Sequence, residues 1–423
     1  MTSTHRGTTG VIKKTTNGEH RIDRWIGIIG GFIPTSIVLG VVAFQFVLSL
    51  AGLVWLVSRV KYPLRWHDGL SQNKLLWALF GWYAAVLVSR IVNGGSAFHF
   101  AHDFVFLRYP LFVAAILDVS RRIPVHRYLI GGLLAGIAYA GINLLSAHLI
   151  GYDLIGNPLS RYVQKMNEGA RIGGLCAYAA PFLLLWGITD GHKGNRQRFG
   201  IVAMGCLGFY LLVSSHVRTA LIAALIGLCG GLLSKLILEK RIKTVSVLAL
   251  MLLAGLGVCG ALWMQPSMVS MYDRFFFWKV SWKLWLQNPI VGVGISSFNE
   301  AYRQIAESGT VAPVVTPTGT IFQSVNPRHA HNLFLQLMTC NGLLGLGVFL
   351  WVIFQAVAII RRHFASWQVG LLSWPFICIG IGLTGWNIYD PYYTTLVFYF
   401  LAMITISADG EMDRHVTRRP FPG

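Results

Sequence analysis

The chain has 423 residues, of which 54% are hydrophobic and only 12% are charged. A water-soluble domain of this composition would expose an apolar surface, so the chain is predicted to be a polytopic membrane protein. The formal net charge of +19 would favour nucleic-acid binding in a soluble protein, but basic cytoplasmic segments and anionic lipid head groups account for it here, and no nucleic-acid partner is expected.

Runs of about 20 apolar residues predict membrane-spanning helices, and twelve such runs follow one another along the chain. The predicted fold is therefore all-α with about twelve transmembrane helices. They lie near 25–40, 42–58, 75–92, 105–118, 128–149, 172–189, 199–213, 218–234, 244–263, 333–360, 368–386 and 392–407. The predicted organisation is nine spans with a basic N-terminus in 1–263, an outer loop in 264–330, three spans in 331–407 and a cytoplasmic tail in 408–423.

The first apolar stretch, Trp25 to Ser58, has no charged residue. As one helix it would measure about 50 Å against a hydrocarbon core of about 30 Å, so it is either a long tilted helix or a tight hairpin. The hairpin places 24 of the 35 Lys and Arg residues on the cytoplasmic side, whereas a single span leaves 16 there. The positive-inside rule therefore favours the hairpin, with both termini cytoplasmic and 264–330 extracytoplasmic.

The 11 basic residues left on the outer side oppose the topological preference, which suggests that they have a function. Arg218 is the clearest case, because Ser214 to Arg218 is the whole connection between two spans and holds the guanidinium at the outer mouth of the bundle. A planar fork of donors suits a diphosphate or a carboxylate. The alternative is an arginine that only extends to the membrane interface.

The long loop begins with Tyr272 to Gln287, whose pattern predicts an amphipathic helix with Trp278, Trp282 and Trp285 on one face. We expect this helix to lie on the outer leaflet rather than to contact substrate through its Trp residues. Arg274, near its start, is a candidate phosphate ligand. The segment 308–325 is rich in Gly, Pro and Thr without periodicity, which favours a mobile lid.

The loop returns to the membrane through Arg328-His-Ala-His331. Residues i and i+2 of a helix point apart, so His329 is expected to lie away from His331 and to be dispensable. A neutral histidine at this point, kept from protonation by neighbouring Arg residues, would serve as a general base on a hydroxyl, and residue type alone does not decide which of the two it is. The alternative is an interfacial histidine that only caps the next helix.

Carboxylates are scarce on the outer side, and none forms the DxD pattern that holds Mg²⁺ or Mn²⁺. They are Asp103, Asp153, Glu168, Asp273, Glu300, Glu307 and Asp390. No metal and no cofactor are therefore expected, and Arg residues would stabilise a leaving group instead. All six cysteines lie in predicted spans, so neither disulfides nor a structural zinc are expected.

Four segments together resemble the O-antigen ligase/polymerase superfamily, the lipid-linked glycan ligases and polymerases of Gram-negative bacteria. They are Arg171-Ile-Gly-Gly, Ser215-His-Val-Arg218-Thr-Ala, Trp285-Leu-Gln-Asn-Pro-Ile-Val-Gly-Val-Gly294 and His331-Asn-Leu-Phe-Leu-Gln-Leu-Met-Thr-Cys-Asn-Gly342. The last fits a His-x10-Gly signature of ligases and is the most specific. Cys340-Asn341 stands where an acidic residue is often found before the final Gly.

The resemblance implies an inverting, metal-independent, GT-C-like glycosyltransferase at the periplasmic face of the inner membrane. It would transfer O-antigen glycan from undecaprenyl diphosphate to lipid A-core oligosaccharide, in contact with membrane lipids. An O-antigen polymerase shares these motifs and remains an alternative. A transporter or flippase of an anionic lipid-linked glycan is ranked lower, because the sequence shows neither polar residues through the depth of the membrane nor an internal repeat.

In this interpretation His331 is the base, and Arg218 and Arg274 stabilise the developing charge on the diphosphate. Arg171 and Arg328 would assist in binding the diphosphate. Asp390, between the last two spans, would orient His331 or pair with an Arg.

The predicted topology is tested by labelling. A label introduced at Gly309, within the predicted outer loop, should react in intact cells from the periplasmic side, because the positive-inside rule places 264–330 there. Reaction only after lysis would contradict this orientation.

Overall fold

A computed structural model describes residues 17–63, 73–154, 156, 167–189, 194–240, 269–316, 319–325, 329–364, 366–385 and 388–417. Its helices are α1 (Asn17–Leu39), α2 (Val41–Lys61), α3 (Lys74–Asn93), α4 (Ala97–Phe104), α5 (Arg108–Ser120), α6 (His126–Ile150), α7 (Asn167–Thr189), α8 (Asn195–Ser214), α9 (Arg218–Leu238), α10 (Val269–Gln287), α11 (Phe298–Glu307), α12 (Leu333–Arg362), α13 (Trp374–Thr384) and α14 (Pro391–Thr417). Two short strands, β1 (Val314–Val315) and β2 (Ile321–Phe322), form an antiparallel hairpin. The 3-10 turns Val105–Leu107 and Ser366–Ser373 precede α5 and α13.

The all-α polytopic fold predicted from hydropathy is confirmed. In the described part of the chain, ten helical segments are long and apolar enough to cross a membrane, and Pro391–Ser407 of α14 is a shorter apolar helix. These eleven segments correspond to predicted spans one to eight and ten to twelve. The ninth predicted span, 244–263, and the start of the predicted outer loop, 264–268, lie outside the described residues.

The first two spans form the predicted hairpin. Their helices α1 and α2 are separated only by Gly40. Arg59, near the end of α2, lies 3.4 Å from Glu19 and 3.5 Å from Asp23, near the start of α1. A continuous helix would hold residues 19 and 59 about 60 Å apart, so these ion pairs decide for the hairpin.

A buried charge network joins α1, α2 and α5 at this end of the bundle. Arg122 donates to both carboxylate oxygens of Asp23, at 2.6 and 3.0 Å, and to both of Asp118, at 3.0 Å. Asp118 also pairs with Arg59 at 3.0 Å and accepts from the Trp55 indole at 2.8 Å. Buried charges persist only where partners replace water, and here each carboxylate has at least two.

α1 and α6 pack closely where Gly31 of α1 faces Gly132 of α6. A Cβ added at Gly132 would overlap the carbonyl oxygen of Gly31 on α1. Small residues allow helix backbones to approach closely within lipid, where dispersion replaces the hydrophobic effect as the driving force. This contact anchors α6 against the first hairpin.

α12 is broken at Gly342, whose φ of 63° and ψ of −162° lie outside the helical region. The turn that follows α10 docks into the break. Beyond the break, the Leu343 and Leu344 amides donate to the carbonyls of Pro289 and Ile290, at 2.8 and 3.1 Å. Peptide groups in a membrane protein need such partners wherever a helix is interrupted.

The same turn is fixed to the part of α12 that precedes the break. The amides of Val293 and Gly294 donate to the Thr339 and Cys340 carbonyls, at 2.9 and 2.8 Å. The two sequence motifs that end at Gly294 and Gly342 therefore meet in space.

The outer loop has its own small core. α10 buries Phe276, Phe277, Val280 and Leu284, and α11 buries Phe298, Tyr302 and Ala306 against it. The helix predicted over Tyr272 to Gln287 is confirmed and starts at Val269. The predicted lid segment contains the β1–β2 hairpin, whose Phe322 ring stacks on Tyr272 with centroids 5.8 Å apart. Its movement stays a prediction.

Replacing Gly342 by Ala should lower the thermal stability of the detergent-purified protein. The backbone conformation there is one that essentially only glycine adopts, and the added methyl would overlap the Ile290 carbonyl; strain of this kind costs about 1–3 kcal/mol. Gly347→Ala, in the same helix with nothing within 4 Å of the added carbon, is the matched control and should not lose stability. Equal melting temperatures for the two variants would argue against the docking role of Gly342.

Candidate active site

The segment around His331 is not helical. α12 begins at Leu333, and the Asn332 side chain caps it by accepting from the Leu335 amide at 3.0 Å. His331 has a φ of 51°, in the left-handed region that non-glycine residues rarely adopt. The expectation that His329 lies away from His331 is therefore wrong: the two ring centroids are 4.0 Å apart. The i, i+2 argument assumed a helix, and the turn precedes it.

His331 is held between two rings. Its imidazole stacks on Phe277 of α10, with centroids 5.3 Å apart and planes 18° from parallel, and the other neighbouring ring is that of His329. The Nδ1 atom of His331 is buried, and no described residue forms a hydrogen bond with it. An unpartnered buried nitrogen is uncommon in folded proteins and is a reason to look for a functional role.

The pKa of His331 is lowered to about 3, first by burial and then by the electrostatic effect of the neighbouring His329 and Arg274; the Gly385 carbonyl opposes the shift. The imidazole is therefore neutral at physiological pH. This is the protonation state that a general base requires.

Arg274 lies on the face of α10 beside this pair. Its side chain is half-buried, and burial lowers its pKa, although an arginine remains charged at neutral pH. Among the described residues none accepts a hydrogen bond from its guanidinium or pairs with it. Its positive charge contributes to the lowered pKa of His331, after burial and His329.

Arg218 is the first residue of α9. The next residue, Thr219, lies against Gly385, where an added Cβ would be 3.1 Å from the Thr219 side chain. The Gly385 carbonyl in turn lies 3.3 Å from Nε2 of His329. Gly385 therefore contacts both the start of α9 and the turn that carries His329 and His331, which we call the histidine turn. Arg218 is half-buried and has no hydrogen-bond or ion-pair partner within the described part of the chain.

Arg171, near the start of α7, lies at the same end of the bundle but is already engaged. Its Nε donates to the Tyr392 hydroxyl at 2.6 Å, and its guanidinium lies 5.3 Å from the centre of the Tyr392 ring. Gly173 lies against Ser215 and Val217, just before Arg218. The structure therefore brings the starts of α7 and α9 together.

Asp390 acts as a helix cap in this structure. Its Oδ1 accepts from the Tyr392 amide at 3.0 Å at the start of α14, and the Tyr392 hydroxyl accepts from Arg171. Asp390 thereby supports the partner of Arg171. The predicted diphosphate ligand Arg328 lies outside the described residues.

Arg90 shows that an outer arginine can be structural. It is 1% exposed, and its Nε donates to Asp103 at 2.8 Å. Its other nitrogens donate to the hydroxyls of Ser296 and Ser297 and to the Gly94 carbonyl. The interpretation that outer basic residues signal function does not apply here, because a carboxylate neutralises the charge and the guanidinium joins α3 and α4 to the loop before α11.

No group of three or more His, Cys, Asp or Glu side chains is placed to hold a metal ion in the described ranges. Independence from metal remains a prediction that requires an experiment.

The comparison with known families agrees with these motifs. Residues 202–350 match the family model described as O-antigen ligase. This part of the chain is similar to the O-antigen ligase family. The matched segment includes Arg218, Arg274, His331 and the broken helix at Gly342, and the resemblance drawn from the sequence is confirmed. No curated protein sequence matches the chain.

Within the matched segment, two residues that shape the candidate site could not be assigned a role from the sequence patterns. The periodicity places Phe277 in the amphipathic helix without a partner, and Gln336 appears in the sequence only as one residue of the segment from His331 to Gly342. Gln336 lies in the first turn of a membrane helix and is 2% exposed. A polar residue within a predicted span is the sequence signal that could have indicated a functional or structural role for Gln336.

Proposed function

We propose that the protein is an inverting, metal-independent glycosyltransferase of the bacterial inner membrane. It ligates O-antigen glycan from undecaprenyl diphosphate to lipid A-core oligosaccharide at the periplasmic face, in a GT-C-like fold. The observation that carries the proposal is the buried Nδ1 of His331, which has no hydrogen-bond partner in the described part of the chain. It lies beside Arg274, whose guanidinium has no partner there either, in a segment that matches the O-antigen ligase family model.

In the proposed step, Nδ1 of His331 accepts the proton of the acceptor sugar hydroxyl. The hydroxyl oxygen forms a bond to the anomeric carbon of the donor as the bond from that carbon to the diphosphate oxygen breaks. The bonding electrons leave with undecaprenyl diphosphate, and attack from the opposite side inverts the anomeric configuration.

Arg218 and Arg274 have the role of stabilising the diphosphate that leaves. Both guanidiniums lack partners among the described residues, so an anion would gain two charge-assisted contacts without breaking an existing ion pair. Arg171, held in place by Tyr392, would also bind the diphosphate. Arg328 is a further proposed diphosphate ligand, on the basis of the sequence alone.

Access to Nδ1 requires a movement, because this atom is buried and its imidazole is stacked on Phe277 and lies against the tilted ring of His329. The segment 308–325 is the part that we propose to move, since its hairpin packs on α10, the helix that carries Phe277. Closure of such a segment over bound substrates would also exclude water from the reaction.

The family match fits a ligase and a polymerase alike, so the acceptor must be identified directly. Purified protein is incubated with lipid-linked glycan and either lipid A-core oligosaccharide or additional lipid-linked glycan. Transfer to the core supports the ligase, and chain growth on the prenyl carrier supports the polymerase. Absence of transfer to both acceptors would overturn the transferase proposal.

His331→Ala and Arg218→Ala should fail in different ways. Loss of the base should lower turnover about 10²–10⁴-fold with little change in donor binding. Loss of the arginine should weaken donor binding and lower turnover together, because the guanidinium contacts the diphosphate in the ground state and the transition state. Arg218→Lys should restore activity only in part, since a point charge cannot replace the bidentate fork.

The matched control uses two cations of α10. Arg274→Ala should lower turnover, whereas Lys279→Ala, which removes an exposed cation five residues further along the same helix, should retain it. If His331→Ala turned over at the parent rate, the assignment of the base would be wrong even with transfer observed.

Chelation tests the absence of a metal. Transfer should survive thorough treatment with EDTA, because the proposed leaving-group stabilisation comes from arginine side chains. Loss of transfer that Mg²⁺ or Mn²⁺ restores would refute the arginine mechanism. The readout is glycan transferred per unit time before and after dialysis against the chelator.

A further inference from the structure

The turn that carries the histidine pair needs an internal support. His331 adopts a left-handed conformation, which costs a non-glycine residue about 1–2 kcal/mol. Ala330, between the two histidines, is fully buried. Because water cannot reach its amide and the residue precedes α12, the amide needs an acceptor other than the backbone carbonyl of a preceding helical turn.

Gln336 supplies that acceptor. Its Oε1 accepts from the Ala330 amide at 2.6 Å, and its Nε2 lies 3.0 Å from the Cys340 sulfur. The orientation of the side-chain amide is determined by its partner, because a backbone N–H can only donate and so must face the oxygen.

The Gln336 contact also connects the turn to the broken helix. The backbone carbonyl of Cys340 accepts from the Gly294 amide and from the Ser89 hydroxyl at 2.8 and 2.9 Å. Gln336 therefore links the histidine turn to the place where the segment after α10 docks, and through it to the helix that carries Phe277 and Arg274.

We infer that Gln336 is a positioning residue, which holds the turn at Ala330 so that His331 stays between Phe277 and His329. It does not touch the substrates and acts only through the backbone of the turn. The inference rests on the proposed function for its effect on catalysis, but the hydrogen bond itself can be measured without activity.

The test compares Gln336→Met, which keeps the size but removes the acceptor, with Gln336→Glu, which keeps an oxygen that can accept. Hydrogen exchange in peptides that cover residues 330–335 should be faster in the Met variant and near the parent rate in the Glu variant. Turnover of the Met variant should fall, because a misplacement of about 1 Å can cost about 10²-fold. Donor KM should change little, and the Glu variant should recover most of the turnover.

Thr339→Val is the control for a general packing defect. Thr339 is also fully buried on α12, but its hydroxyl donates to the Leu335 and Ser281 carbonyls and not to the histidine turn. This variant should lose stability without faster exchange at the turn and without a specific loss of turnover. Equal losses of turnover in Thr339→Val and Gln336→Met, at equal melting temperatures, would overturn the inference.

Parent-like exchange in Gln336→Met would also overturn it, whatever the activity. So would faster exchange in Gln336→Met with unchanged turnover, if His331→Ala is inactive in the same assay. Full turnover of His331→Ala would instead refute the proposed function, and the exchange rates would still decide whether Gln336 holds the turn.

Discussion

The docking of residues 289–294 into the break of α12 is the contact on which the site depends. A helix interrupted at Gly342 leaves peptide groups that need partners within the bundle, and the carbonyls of Pro289 and Ile290 provide them. Because this turn directly follows α10, the same hydrogen bonds fix where α10 lies. The stacking of Phe277 on His331 follows from that placement. So does the effect of Arg274 on the pKa of His331.

The arginines at the two ends of the bundle differ in whether their guanidiniums are paired with carboxylates. At the end predicted to be cytoplasmic, Arg59 and Arg122 share three carboxylates and join the first spans together. At the other end, Arg218 and Arg274 have no partner among the described residues. Paired guanidiniums contribute to the fold, whereas a half-buried guanidinium without a partner keeps its donors available for an anion. Arg90 belongs to the first group, although it lies at the second end.

Much of the fold was predictable, because lipid imposes one length and one polarity on every span. The hairpin of α1 and α2 and the helix from Tyr272 to Gln287 follow from charge distribution and periodicity alone. The motif order also predicted that Arg218, Arg274 and His331 lie at the same end of the bundle.

The arrangement of the histidines was not predictable, because it depends on a left-handed residue at His331 that precedes the helix rather than belonging to it. The pairing of Arg90 with Asp103 and the contact from Gln336 to Ala330 were equally hidden. Both join groups whose approach is set by tertiary packing, and the residue types alone fit many partners. Arg328 cannot be compared, since it lies outside the described residues.

The number of residues between His331 and Gly342 determines the distance and the rotation between the histidine and the break of α12. The helical stretch from Leu333 to Asn341 measures about 14 Å, or about two and a half turns, and it separates His331, the proposed base, from the backbone break. One inserted residue would turn the start of α12 by about 100° and shift it by about 1.5 Å relative to the docked segment. The histidine would then leave the ring on which it stacks while both motifs stayed intact. Helical phase therefore constrains this length as strictly as chemistry constrains the residues at its two ends.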